Sequence, residues 1–550
     1  MTKHRWHEFY EKEVKIQLDY PSIPVTDFLK QAAEEYPDQE ALYFFGRRMT
    51  YKVLIAEAYR FANALIDLGV SKGDRVALML PSTPQYVICY YGVLFMGGIV
   101  VQTNPLYVEK ELLHHLSDAA AHTIVCLDLV YPRVKKIRDQ VALKQVIVTS
   151  IKDYLPFPKN WLYPIVQKKK GPYVVIDYQK EPVIPLKELI SQASSKPVAV
   201  KLDPLEDVAV LQYTGGTTGT AKGVMLTHYN LVVNVLQCQA WMYKNEKGKE
   251  SLLTVVPLFH VYGMTVCMNY SISMAGRLIL IPKFEIDTLL KAIHSQKPTI
   301  FPGAPTMYIA IINHPDVTKY NISSINCCVS GSAALPIEVK QKFEQLTGGK
   351  LVEGYGLSEA SPVTHVNPIW GKNVRGSIGI PYPDTECKVI DSTTEEEVEL
   401  GQIGELIIRG PQVMKGYWNQ PEVTATTLKD GWLYTGDMGT MNEEGYFFIV
   451  DRKKDVIIAG GFNIYPRDIE EVLYEHPCIQ EAAVIGVPDD YRGETVKAFI
   501  VLKQGAEVTE SELNEYCRER LAVYKVPHIY EFRSDLPKTM IGKVLRRELK

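Results

Sequence analysis

The sequence predicts a multidomain α/β protein, and three observations carry that prediction. Its 550 residues exceed what one hydrophobic core supports, because single cores stop growing near roughly 250–300 residues. From Asp74 onward short apolar runs alternate with helical stretches in βαβ order. Beyond about residue 450 the pattern changes to a separate α+β unit of roughly 100 residues, an ordinary domain size. A content of 46% hydrophobic and 23% charged residues, with a mean hydropathy of −0.07, excludes disordered, collagen-like and polytopic membrane classes.

The elements read in order. DRVALML, from Asp74, is a strand, PSTPQ a turn, YVICYYGVLF a helix and GGIVVQT the returning strand. Further strands are HTIVCLD near 125, QVIVTS near 148, DVAVLQY at 207–213, SLLTVV at 251–256 and RLILIP at 277–282. Two apolar stretches, 86–101 and 252–281, need weighing as membrane spans. The first carries Gly97-Gly98 and falls short of roughly 18 residues, and the second is broken by Pro257, His260, Asn269 and Arg277. Both read as buried elements covered on two faces. Residues 153–190 form a Pro, Tyr and Lys mixture without clear periodicity, an insertion. Its triplet Lys168-Lys169-Lys170 reads as a solvated loop, with a phosphate or lipid contact as the alternative. From 376 to 450 short strands punctuated by Gly and Pro suggest a compact β subdomain. After DRKKD at 451–455 come a helix around DIEEVLYEH, strands EAAVIGV and VKAFIVL, and a helix ESELNEYCRERL.

Sixty basic and sixty-four acidic residues leave a net charge of −4, so no global field draws nucleic acid or a membrane, and an anionic ligand must be held by local groups. Nine cysteines without a C-x-x-C pair or zinc spacing read as core thiols in a reducing compartment. The N-terminal segment has no apolar stretch behind its basic residues, so secretion is not expected.

The strongest local signal is Y-T-G-G-T-T-G-T-A-K-G, from Tyr213 to Gly223. Glycines allow close backbone approach, threonine hydroxyls donate to phosphate oxygens and Lys222 supplies a point charge. It is not a Walker A loop, which needs G-K-[ST]. DVAVLQY before it and GVMLT after it both read as strands, with Thr227 as the N-cap of the next helix. The segment resembles the phosphate-binding signature of the adenylate-forming superfamily, which includes acyl-CoA synthetases, luciferases and peptide-synthetase adenylation domains. Many members have Ser where Gly215 stands and Pro where Ala221 stands, and in these departures the chain is similar to bacterial long-chain fatty acid CoA ligases.

Further motifs follow in the order of that family and extend the resemblance over the whole chain. It implies a large N-terminal part of Rossmann-like α/β sheets with a β-barrel-like subdomain, 1–450, then a hinge, 451–455, and a small mobile α+β lid, 456–550. It implies that Thr214, Gly215, Gly216, Thr217, Thr218 and Gly219 cradle phosphates together with Lys222. Gly331, Ser332 and Ala333, in S-G-S-A-A-L-P, would line adenine. In Y-G-L-S-E, Tyr355 would stack on the base, Gly356 and Ser358 approach the α-phosphate, and Glu359 hold Mg²⁺. Asp437 in Y-T-G-D-M-G would accept the ribose hydroxyls, Arg452 would contact ribose and phosphate, and Lys454 would be the hinge. Lys543, in P-K-T-M-I-G-K, matches the lysine of adenylation.

The resemblance places His260 and Met264 at an acyl pocket, Met264 standing where some long-chain enzymes have an aromatic gate. Gly460 and Gly461 would border a CoA tunnel, and Ile458 stands where some relatives carry a second lysine. The implied reaction activates a long-chain fatty acid with ATP and Mg²⁺ through an acyl-adenylate to acyl-CoA. A medium-chain or aryl acid ligase, and an acyl-AMP ligase serving a separate carrier protein, are the alternatives. The implied setting is the cytoplasm, peripheral at the inner membrane face, with transient membrane contact, no nucleic acid, and a homodimer left open.

Overall fold

The computed structural model describes residues 3–549 apart from 171–172, 215–220, 332–334, 460–461, 490–491 and 540–542. Its largest sheet has eight strands. In spatial order they are Gly416–Tyr417, Lys222–Thr227, Val208–Thr214, Ile99–Gln102, Arg75–Met79, Thr123–Leu127, Gln145–Thr149 and Ile184–Pro185. From Val208–Thr214 outward all pairings are parallel, and the two beyond it are antiparallel. Parallel strands joined by covered helices explain the near-continuous apolar runs. The helix Pro84–Phe95 is buried at every position, and the 252–281 run becomes a strand, a π-helical turn, a short helix and a second strand, all in the core. No helix among the described residues is long and apolar enough to cross a membrane.

The region expected to be β-barrel-like carries a five-stranded antiparallel sheet: Glu386–Ile390, Gly404–Arg409, Trp432–Met441, Leu428–Lys429 and Phe447–Arg452. A bridge from Gly379 to Phe447 ties it to the strands around Tyr355. Hydrophobic packing divides near residue 450. One core runs through Phe447, and two smaller ones, starting at Ile457 and Ala483, lie in the later residues. All nine cysteines are free, and eight are buried.

The insertion departs from expectation. Lys159–Lys170 is an α-helix, not an aperiodic loop, so the lysine triplet is helical. Pro164 within it hid the pattern, because proline mid-helix ordinarily argues against one.

The helix that follows the Gly/Thr loop positions the rest of the cleft. Thr227 caps it as expected, its hydroxyl accepting from Asn230 N at 3.1 Å. Three amides spaced along one face, Asn230, Asn234 and Gln237, then grip backbone of distant segments. Asn230 Nδ2 donates to the carbonyls of Pro411 and Val413, both at 2.9 Å. Asn234 accepts from Val363 N at 3.0 Å and donates to Val363 O at 2.8 Å, and Gln237 donates to Pro383 O at 2.7 Å. Asn234→Ala strands two buried backbone groups, each costing about 1–3 kcal/mol. It is expected to lower the unfolding midpoint of the large core by several degrees in calorimetry, with the transition from the C-terminal unit unmoved.

Candidate functional site

A cavity of about 2520 Å³ collects most of the sequence-predicted residues that the structure describes. Thr214, Lys222, His260, Gly331, Tyr355, Gly356, Ser358, Glu359, Asp437, Arg452, Lys454 and Lys543 all line it. Gly215, Gly216, Thr217, Thr218, Gly219, Ser332, Ala333, Gly460 and Gly461 lie outside the described residues. Met264 is not brought to the cavity wall. It is fully buried, its thioether accepting from Gln102 Nε2 at 3.2 Å, and Gln102 is the residue that faces the cavity. The π-helical turn Gly263–Asn269 sets this position, and Gly263 lies so close to Pro257 that a Cβ would sit 2.2 Å from its carbonyl oxygen.

Antiparallel register explains how distant residues converge. Thr214 pairs with Lys222, so the Gly/Thr loop joins two adjacent strand ends as expected. Asp437 pairs with Arg452 across Trp432–Met441 and Phe447–Arg452, and their side chains meet with Arg452 Nε 3.0 Å from Asp437 Oδ1. Tyr355 donates its hydroxyl to the other oxygen, Asp437 Oδ2, at 2.5 Å. A carboxylate has about four acceptor positions, so both contacts leave room for a diol. Asp437 favours the charge on Arg452 and raises its pKa, while burial and the same carboxylate push the Tyr355 hydroxyl up. Gly356 has a packing reason of its own, since a Cβ there would lie 2.2 Å from Pro362 O.

A second group forms around Glu359. Tyr417 donates to Glu359 Oε1 at 2.8 Å, and its ring lies 5.2 Å from Lys222 Nζ. The pairing of Gly416–Tyr417 with Lys222–Thr227 puts it there. A single carboxylate such as Glu359 is a donor set that Mg²⁺ uses, since it takes one or two protein carboxylates and draws its other ligands from phosphate and water.

Lys543 enters from the C-terminal unit. It keeps exposed surface, but its ammonium lies among cleft walls that desolvate it. That burial, with Arg452 adding repulsion, pulls its pKa down to about 8. Burial, with Lys543 adding, pushes His260 down to about 4, so His260 presents a neutral imidazole at pH 7. Burial also raises Glu353, another cleft residue, to about 7.

Behind Lys543 lies a buried ionic cluster. Asp451 accepts from the backbone N–H groups of Arg452 and Arg467 at 2.7 and 2.9 Å, and from Arg546 at 3.0 Å. Arg546 also bonds Asp455 and both oxygens of Glu470. Burial works against the charge on Arg546, but Glu470, Asp451 and Asp455 hold it firmly on. Tyr417, Glu353 and this cluster escaped the sequence reading. A two-residue strand has no periodic signature, and the aromatic pair Tyr417-Trp418 after a glycine was the sole signal for the first.

An arginine–carboxylate pair, a second carboxylate and two lysines around one cleft define a site for a polyanionic ligand in a mixed α/β protein. Residues 29–418 match the AMP-binding enzyme family, and residues 468–543 match the AMP-binding enzyme C-terminal domain. A long-chain-fatty-acid–CoA ligase of Bacillus subtilis (strain 168) is 55% identical, the match covering 99% of this chain and 97% of that one. The ligase of the same name from Escherichia coli O157:H7 is 40% identical over 99% of this chain and 97% of its own. Among solved structures, ATP-bound MatB from Rhodopseudomonas palustris has a TM-score of 0.84 at 30% identity, covering 96% of this chain and 98% of that one. An anthranilate CoA ligase with anthranoyl-AMP has the same TM-score at 28% identity, covering 96% and 97%. The chain belongs to the AMP-binding enzyme family.

Tyr417→Phe keeps the ring beside Lys222 and removes the hydrogen bond that orients Glu359. A net hydrogen bond is worth about 1 kcal/mol, so KM for ATP should rise roughly fivefold in steady-state assays while kcat for soluble acids changes less than twofold.

Proposed function

We propose that this protein is an AMP-forming long-chain fatty acid CoA ligase. The observation that carries this reading is the convergence of Lys543 with the Asp437–Arg452–Tyr355 and Glu359–Tyr417–Lys222 groups on one cavity. The relatives at 55% and 40% identity support the acid class, since both carry the long-chain name over nearly the full length.

A carboxylate is a poor electrophile, so a thioester forms only after its oxygen becomes a leaving group. In the proposed first step the acid's carboxylate attacks the α-phosphorus of ATP, forming an acyl-adenylate as the bond to pyrophosphate breaks. Two anions must approach, and Lys543 neutralises charge as it builds. Asp437 accepts the ribose hydroxyls while Arg452 holds both the carboxylate and the nucleotide. Lys222 and the strand-end loop restrain the outer phosphates, and Glu359 is the residue that would hold Mg²⁺. Bound there, the ion neutralises phosphate charge. In the second step CoA thiolate attacks the acyl carbon and AMP leaves, which requires Lys543 to vacate that side.

The proposed division for that movement is 1–450, a hinge at 451–455 containing Lys454, and 456–550. The break in hydrophobic packing near 450 supports it. Free, mostly buried cysteines support a cytoplasmic setting.

Lys543→Ala is expected to cut carboxylate-dependent ATP–pyrophosphate exchange about a hundredfold or more, while transfer from preformed acyl-adenylate to CoA stays within threefold. Full exchange activity in the variant refutes the assignment.

The active form of Lys543 is the cation, and burial has lowered its pKa to about 8. Adenylation kcat/KM, which reports the free enzyme, should therefore hold below pH 8 and fall as pH rises through it. The transfer half-reaction should lack that basic limb.

A further inference from the structure

We propose that the helix Lys159–Lys170, with Phe157 ahead of it, docks this protein on the surface of an anionic lipid bilayer. The helix is amphipathic in the wrong sense for a soluble fold. Tyr163, Pro164 and Gln167 are partly covered by the body of the protein, with Tyr163 packed against the main core. Trp161, Leu162, Ile165 and Val166 point the other way, exposed by 70%, 40%, 51% and 47%, and Phe157 is exposed by 83%. At 100° per residue those four helical side chains fall within one arc, opposite the packed side. Single exposed apolar residues need no explanation, but a contiguous face of them does.

Charge chooses the occupant. From Tyr154 to Ile176 the sequence holds four lysines and no acidic residue or arginine, in a chain whose net charge is −4. Lys168 and Lys169 are exposed one turn beyond Ile165 and Val166. The Lys168 ammonium lies 5.2 Å from the centre of the Tyr173 ring, and Lys169 falls on the apolar arc itself, a position from which a lysine stem covers apolar surface and its ammonium reaches the headgroup layer. Trp and aliphatic side chains flanked by lysines are the composition of a helix lying in the headgroup region. A second copy of the chain presenting the same face would set lysines against lysines. An anionic headgroup layer satisfies both the apolar arc and its positive end, and the helix is 12 residues long, too short to span.

The purpose of this surface rests on the acyl-ligase reading, since a long-chain acid dissolves in a bilayer and is taken from it. The binding itself is tested without substrate. The full-length chain is sedimented with vesicles of phosphatidylcholine alone or with 30% phosphatidylglycerol, at about 0.1 M salt. Wild type should bind the anionic vesicles and favour them at least tenfold over the neutral ones. Each lysine near an anionic surface contributes about 1 kcal/mol, roughly fivefold, so Lys168→Gln/Lys169→Gln should weaken binding about 25-fold. Trp161→Glu/Ile165→Glu should reduce it at least tenfold even at low salt. Pyrophosphate exchange with octanoate, a soluble acid, should be unchanged in both variants and confirms that they fold. Failure of wild type to bind anionic vesicles overturns the proposal, as does equal binding by the variants or a change confined to self-association. Absence of exchange in wild type would instead remove the ligase reading and leave the vesicle result standing.

Discussion

The burial of Asp451 constrains everything around the C-terminal half of the cleft. Its side chain is 4% exposed, and a carboxylate so placed survives only if its charge is met by hydrogen bonds and cations. The partners come from three places: the end of its own strand, the start of helix Pro466–Tyr474, and Arg546 close to the last residue. That single requirement fixes where the segment bearing Lys543 returns. It also joins the strand carrying Arg452 to the unit that follows it, so the two cations reach the cleft from one anchored base.

Holding several cations together without a ligand has an electrostatic cost, and the molecule spreads it unevenly. Arg452 is met by Asp437, and Lys222 lies by the face of Tyr417 beside Glu359. Lys543 has a weaker set of neighbours and is the group whose proton is loosened. A polyphosphate entering the cleft supplies the missing negative charge, so binding it strengthens the proton's hold on Lys543. The site is therefore pre-formed at two of its three positive groups and completed by its ligand at the third.

The sequence exposed the parts of this arrangement that depend on local patterning. The βαβ order before residue 150 follows from apolar runs and glycine punctuation, and the Thr227 cap and strand–loop–strand reading of the Gly/Thr segment follow from flanking composition. Lys222, Asp437, Arg452 and Lys543 could be placed because their motifs resemble a known family, and spacing alone does not bring them together. What stayed hidden depends on tertiary geometry. Tyr417 reaches Glu359 through a two-residue strand pairing, Arg546 finds Asp451 across 95 residues, and Met264 is withdrawn behind Gln102 by a π-helical turn. The helix Lys159–Lys170 was obscured because its apolar residues face outward around a proline, the reverse of the pattern that signals a packed helix.

The amide-bearing helix His228–Trp241 has a consequence of a different kind. The groups with which Asn230, Asn234 and Gln237 hold the walls of the cleft are neutral amides bonded to backbone. None of them gains or loses a proton in the physiological range, and none is weakened by dissolved ions as exposed charge pairs are. The frame and the reactive groups thus answer to different variables. Acidity and ionic strength can retune the cations inside the cleft without loosening the amide contacts that tie helix His228–Trp241 to the large unit.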